Sequence, residues 1–292
     1  MANLRDIRKR RRSAASTKKI TRTMELVSSS KLQKAQIAAA ASRPYADGLR
    51  ALVAKLAEAT GGGTSHALMR ARPVKQVTIG LVCSDRGLCG AFNVNLTALA
   101  IRRAREWEAK GAKVSFIALG RKGGSTLRFA GYEPTSVHSG LTGGQVPFAK
   151  VEPVADAAIA RFLAGEVDLV EVVYSRFINQ ARQVPDHLVL LPAGGDAVAA
   201  AAPKAFHDDF EFIPSPEELF ASLIPQTVKS ALFSAILQTT AAEHAARRVA
   251  MKNAADAASD MVKDLTRVYN RGRQGKITQE IAEITGAVEA MA

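Results

Sequence analysis

Two glycine-rich stretches hold the side chains best placed to do chemistry. "CSDRGLCGAFN" (residues 83–93) sets two thiols, a hydroxyl, a carboxylate and two glycines between an apolar run and a helical pattern. "GRKGGST" (residues 120–126) sets three glycines, two cations and two hydroxyls in an equivalent place. Loops at the carboxyl end of a strand can wrap backbone N–H groups around a phosphate. Neither stretch matches G-x-G-x-x-G or G-x-x-x-x-G-K-[ST], and the first lacks the Lys that would reach the phosphate. A conformational role for these glycines is expected ahead of a ligand site.

The remaining reactive side chains form no set. Cys83 and Cys89 are spaced C-x5-C, which fits no common metal knuckle, and two cysteines in this length point to a reducing compartment. Their plain role is as small apolar fillers near a strand end. The histidines at 66, 138, 187, 207 and 244 include no pair at metal-ligand spacing, and no G-x-S-x-G is present. No catalytic residue, metal or cofactor is expected.

Charge is the stronger signal. The 292 residues carry a net charge of +13. Residues 1–50 hold thirteen Arg or Lys against Asp6, Glu25 and Asp47, so they supply +10 of it. From Ser215 onward nine basic residues meet nine acidic ones. "RDIRKRRR" at residues 5–12 has no aromatic, and no helix-turn-helix or zinc motif follows. Nucleic-acid binding is therefore possible but unsupported, and a solvated helical face is the ordinary alternative.

The elements that must position these groups fall into segments. Residues 1–59 contain one Pro and one Gly and read as one long helix, with a thin stripe of Leu4, Ile7, Ala14, Ile20, Met24, Val27, Leu32 and Ala35. Residues 60–74, opening on "TGGGTS", read as a linker. Within 75–192, β-branched runs ("QVTIGLVCS", "KVSFIALG", "VDLVEVVYSRFI") alternate with helical stretches. That alternation predicts a Rossmann-like α/β domain with a mainly parallel sheet and a hairpin at its edge. Residues 193–214 form a low-complexity connector, and 215–292 return to helix.

In that last segment Leu237, Ala241, His244, Arg248, Met251, Ala255, Ala258, Val262, Leu265 and Tyr269 step by 4 and 3 without a break. Ile277, Ile281, Ile284, Val288 and Met291 resume the stepping after a stagger of eight, which should alter the supercoil near "NRGRQGK". His244 on this seam would set register rather than bind metal. The two long helices are expected to pair as an antiparallel coiled coil standing on the α/β domain. No apolar run approaches the ~20 residues of a membrane span. "MANLRDIRKR" has no apolar signal core, so neither a secretory signal nor a transit peptide is expected.

The two ends, "NLRDIRKRRRSAASTKKITRTMELVSSSKLQKAQ" and "AARRVAMKNAADAASDMVKDLTRVYNRGRQGKITQEIAEITGAVEAM", together with "CSDRGLCGAFN", resemble the gamma subunit family of F-type ATP synthases. The resemblance covers essentially the whole chain. It implies a non-catalytic central-stalk rotor, one copy per complex, whose coiled coil enters a hexamer of alpha and beta subunits. It implies that the base meets the epsilon subunit and a membrane-embedded c-ring, with residues 208–225 as the foot. Proton flow would turn the c-ring and this shaft together.

The resemblance also implies contacts with the catalytic subunits at Met24, Lys31, Arg247, Arg273, Gln274, Thr278 and Glu280. Packing within the coiled coil is the alternative for Met24, and a solvated face is the alternative for Arg247. A basic shaft of small side chains facing an acidic beta-subunit loop could be guided without being locked. The location implied is peripheral, on the cytoplasmic face of a bacterial inner membrane. Thiol regulation is not expected, because the connector lacks the Cys of the chloroplast insert. Two rivals stand beside this reading: a nucleic-acid-binding coiled-coil protein, and an α/β enzyme with helical arms.

Overall fold

Val77, Ile79, Leu81 and Val82 make a nearly continuous apolar run because their strand is covered on both faces, as parallel strands usually are. The computed structural model describes residues 4–59, 66–193, 213 and 215–291. The chain divides into two units, Ser28–Arg247 and Met1–Val27 with Arg248–Ala292.

In the larger unit a five-stranded sheet has the order β3-β2-β1-β4-β5. Its strands are β1 (Gln76–Val82), β2 (Lys113–Leu119), β3 (Ser136–His138), β4 (Leu169–Phe177) and β5 (Gln183–Leu191). The first four are parallel, and β5 returns antiparallel along β4 as the edge hairpin. Helices α2 (Phe92–Ala109) and α3 (Arg121–Phe129) cover one face. The other face takes α4 (Phe148–Leu163), the end of α1 (Leu4–Ala59) through Val53 and Leu56, and α5 (Pro216–Met291) through Phe220, Ile224, Val228 and Ile236. Each such side chain, once fully buried, contributes roughly 1.5–3 kcal/mol.

The fold class expected from the sequence is thus observed, with two local differences. "GRKGGST" is not a loop but the start of α3, and β3 was not anticipated. The glycines explain the helix: a Cβ on Gly120 (φ +124°) would lie 2.1 Å from the Cys83 carbonyl oxygen, and one on Gly124 would press Val137 at 3.0 Å. They let α3 sit against the ends of β1 and β3.

Along α1, burial follows a 3–4 stepping broken only at exposed Lys18: Leu4, Ile7, Arg11 and Ala14, then Thr21, Glu25, Ser28, Leu32, Ala35, and on to Leu49, Val53 and Leu56. The apolar stripe expected from the sequence was therefore partly misplaced, since Ile20 and Val27 are 60 % and 51 % exposed. Polar seam residues keep the helix slim where a hydropathy pattern would ask for Leu.

In the smaller unit α1 and α5 run antiparallel. The Arg11 guanidinium lies 5.0 Å above the Tyr269 ring, the Lys18 ammonium donates to Ser259 Oγ at 3.0 Å, and Leu4 rests against Gly272. In the larger unit Leu32 and Ala35 pack on Ala241 and Ala245 in the same sense. The stagger after Tyr269 coincides with the point where α1 begins, so no partner follows it there among the described residues. By composition α5 contains a stretch apolar enough to cross a membrane, but 56 % of that stretch is buried within the protein. The linker at 60–65 and the connector from 194 to 212 lie outside the described residues.

Candidate functional site

Strand order reverses between β1 and β4, and in open α/β sheets ligands enter outside the strand ends at such a point. Here the chain's own α5 fills that place. β4 runs on past its last pairing with β1, Leu81 with Val173, and the Ser175 N–H donates to Thr239 Oγ1 at 3.1 Å. Ala242, fully buried, joins the core under α2. One turn further, Arg247 Nη2 donates to the carbonyls of Arg86 and Gly87 at 3.2 and 3.3 Å and meets Glu243 Oε1 at 2.8 Å.

Several other polar groups of the loop are also spent internally. Ser84 N–H donates to Asn93 Oδ1 at 3.1 Å, and Thr142 Oγ1 donates to the Cys83 carbonyl at 3.0 Å. The Asp85 carboxylate accepts from Arg121 N–H at 3.0 Å and Gly140 N–H at 2.8 Å. Asp85 thus occupies the amino end of α3, where a phosphate would otherwise be held. The conformational reading of both glycine-rich stretches follows from these bonds. Cys83 and Cys89 are buried free thiols, and burial pushes both thiols up. Among the described residues no three metal-binding side chains cluster.

Burial dominates the electrostatics around Arg247. Glu243 is 1 % exposed, one of its oxygens has no hydrogen-bond partner, and burial raises its pKa in spite of the adjacent guanidinium. Burial lowers His244 to about 4, with Arg247 and Lys31 adding to the effect. A second buried carboxylate, Glu171 on β4, is paired with Arg103 at 2.6 and 3.1 Å and accepts a hydrogen bond from Trp107 Nε1–H at 2.9 Å.

The residues singled out by the resemblance do not converge on one spot. In the larger unit Lys31 is exposed and donates to the Gly143 carbonyl at 3.3 Å. Arg247 is only 7 % exposed, which excludes the solvated-face alternative and turns its donors toward the loop at 86–87. In the smaller unit Met24 is half-buried, off the stepping of the α1 seam. Arg273, Gln274, Thr278 and Glu280 all face solvent; among the described residues Thr278 bonds to Gln274 O and Glu280 pairs with Lys276, both on their own helix. Sequence reasoning missed Asp85, Thr239 and Glu243. The one visible signal was the four-residue spacing of Glu243 and Arg247.

Residues 3–291 match the family described as ATP synthase. The chain is 38 % identical to the ATP synthase gamma chain of Pelotomaculum thermopropionicum over all of both chains. It is 40 % identical to the gamma chain of Herpetosiphon aurantiacus, covering 100 % of this chain and 99 % of that one. The chain belongs to the ATP synthase gamma chain family.

The relatives are named as the gamma chain, a component of ATP synthase, and not as its catalytic chain. Solved structures show the same fold at low identity. A chain of the Euglena gracilis mitochondrial ATP synthase, solved as OSCP/F1/c-ring, aligns over 99 % of this chain and 94 % of its own with a TM-score of 0.65 at 18 % identity. A chain from the Tetrahymena thermophila mitochondrial ATP synthase central stalk and c-ring covers 80 % of this chain and 99 % of its own, with a TM-score of 0.58 at 22 % identity.

Proposed function

We propose that this chain is the central-stalk rotor of a proton-translocating F-type ATP synthase, one copy per complex. It couples rotation of a c-ring to the conformational cycle of catalytic sites in an alpha–beta hexamer. The observation that carries this reading is the free run of α5. Every residue from Arg271 to Val288 is exposed, yet Ile277, Ile281, Ile284 and Val288 keep the spacing of a packing seam. Beyond Gly272 the helix continues for roughly 28 Å with no intrachain partner among the described residues. A contiguous apolar stripe left in water marks an interaction surface, and the alpha and beta subunits would supply its surroundings.

The exposed cations Arg8, Lys9, Arg10 and Arg12 on α1 support the same reading. Charge attraction is longer-ranged and less directional than packing, so acidic loops of the beta subunits can guide this surface without fixing its angle. Met24, Lys31, Arg273, Gln274, Thr278 and Glu280 are the proposed contacts. Arg247 acts from inside, holding the loop at 86–90 so that Leu88, 61 % exposed with φ +64°, stands outward.

In this scheme residues 1–59 and 215–292 form the shaft, 75–192 the base, and 60–74 and 193–214 the connections. The foot at 208–225 meets epsilon and the c-ring, peripheral to the cytoplasmic face of a bacterial inner membrane. Co-expression with the alpha and beta subunits of the same organism tests it. Assembly at one copy per hexamer, with sustained ATP hydrolysis that falls when this chain is omitted, is expected. Folded partners that neither bind the chain nor respond to it would refute the proposal.

A further inference from the structure

Two adjoining hollows in the Ser28–Arg247 unit, of about 890 and 340 Å³, meet at Phe233. The larger is lined by Lys31 and Lys34 from α1 and by Lys150 from the first turn of α4. None of the three ammonium groups forms an ion pair with a carboxylate among the described residues; Lys31 donates to the Gly143 carbonyl at 3.3 Å and feels the buried Glu243 carboxylate only through space. The carboxylates of α4 that could neutralise them, Glu152 and Asp156, are held by Lys229 at 2.9 and 2.8 Å. Pro147 precedes α4 and makes no side-chain cap, so the positive end of that helix adds to the lysines.

The smaller hollow is apolar in character. Phe148 and Phe233 stand edge to face there, 5.5 Å apart, beside Tyr45. A cationic lobe joined to an aromatic lobe, each within the size range of ordinary ligand sites, selects for one kind of molecule.

We propose that this double hollow binds an organic phosphate. Its phosphoryl groups lie among Lys31, Lys34 and Lys150, and its apolar or aromatic body lies against Phe148, Phe233 and Tyr45. Both a nucleotide and a phospholipid headgroup with short acyl chains have this chemistry. The inference goes beyond the rotor reading and does not depend on it.

Calorimetric titration of the full-length chain tests it with three probes: ADP, dihexanoyl phosphatidate below its micellar concentration, and inorganic pyrophosphate. One molecule of ADP or of the phosphatidate should bind per chain, more weakly as salt is raised. Lys34→Ala combined with Lys150→Ala should weaken that binding about tenfold or more, whereas Lys113→Ala, on an exposed position at the start of β2, should not. Unfolding midpoints of the variants matching the parent confirm that folding is intact. Saturation by ADP alone assigns the site to nucleotides, and saturation by the phosphatidate alone assigns it to lipid. The proposal is overturned if neither organic phosphate saturates, if the double variant binds like the parent, or if pyrophosphate binds as tightly as either.

Discussion

The Arg247 guanidinium lies 2.8 Å from the Glu243 carboxylate one helical turn away, and both side chains are more than nine-tenths buried. Paired, they join α5 to the loop at 83–93; separated, either would be an isolated charge out of water.

Replacing Arg247 by Ala should therefore cost about 3–5 kcal/mol of stability at neutral pH, because it strands a buried carboxylate. The sign of the pH dependence is set by Glu243. Its folded pKa is raised by burial, so its contribution is fully present below the ordinary carboxylate value and is lost as pH rises through the folded value. Losing Arg247 raises it further. Denaturant titrations should show a gap between parent and Arg247→Ala that widens from acid to neutral pH. A gap of constant size would contradict this.

His244 tilts the curve the other way. Burial holds it neutral down to about pH 4, whereas the unfolded chain takes up a proton near 6.5. Stability from this residue is present above 6.5 and is lost as pH falls toward 4, by roughly 3 kcal/mol at most. The His244→Gln variant should flatten the stability profile across that window. An unchanged slope would show that His244 is protonated at no cost in the fold.

The seam along α1 makes a paired prediction. Leu32 is 1 % exposed against Ala35, Ala241 and Ala245, so Leu32→Ala should cost about 2–4 kcal/mol. Ile20 is 60 % exposed, so Ile20→Ala should change stability by less than about 0.5 kcal/mol. Equal losses would restore the stripe that the hydropathy pattern implied.

Arg273 and Gln274 face solvent, just past Gly272 where the first residue of α1, Leu4, packs. Substituting both by Ala should leave the unfolding midpoint of the chain unchanged while lowering ATP-driven proton pumping relative to hydrolysis in the reconstituted complex. Unaltered pumping per ATP would remove these two residues from the coupling surface.

The strands were legible because a parallel sheet buried on both faces writes itself as short apolar runs, as in β1 and β4. The α5 seam was legible from Leu237 to Tyr269 because most of its positions are apolar. The α1 seam was not, because Thr21, Glu25 and Ser28 are buried along it and polar side chains carry no apolar hydropathy signal. Helix α3 was hidden by Gly123 and Gly124, which read as a loop but serve close packing against Cys83 and Val137. The burial of Arg247 depends on carbonyls distant in sequence, so only its pairing with Glu243 could have been seen beforehand.

As a rotor, this chain must turn inside its partners. A bead attached through a cysteine introduced at exposed Lys110, with the alpha–beta hexamer fixed to a surface, tests it directly. The two native thiols are buried and should not compete for the label. Sustained rotation in one direction that requires ATP and stops on its removal is the predicted result. A complex that hydrolyses ATP at its full rate while the bead only fluctuates about a fixed angle would contradict the account.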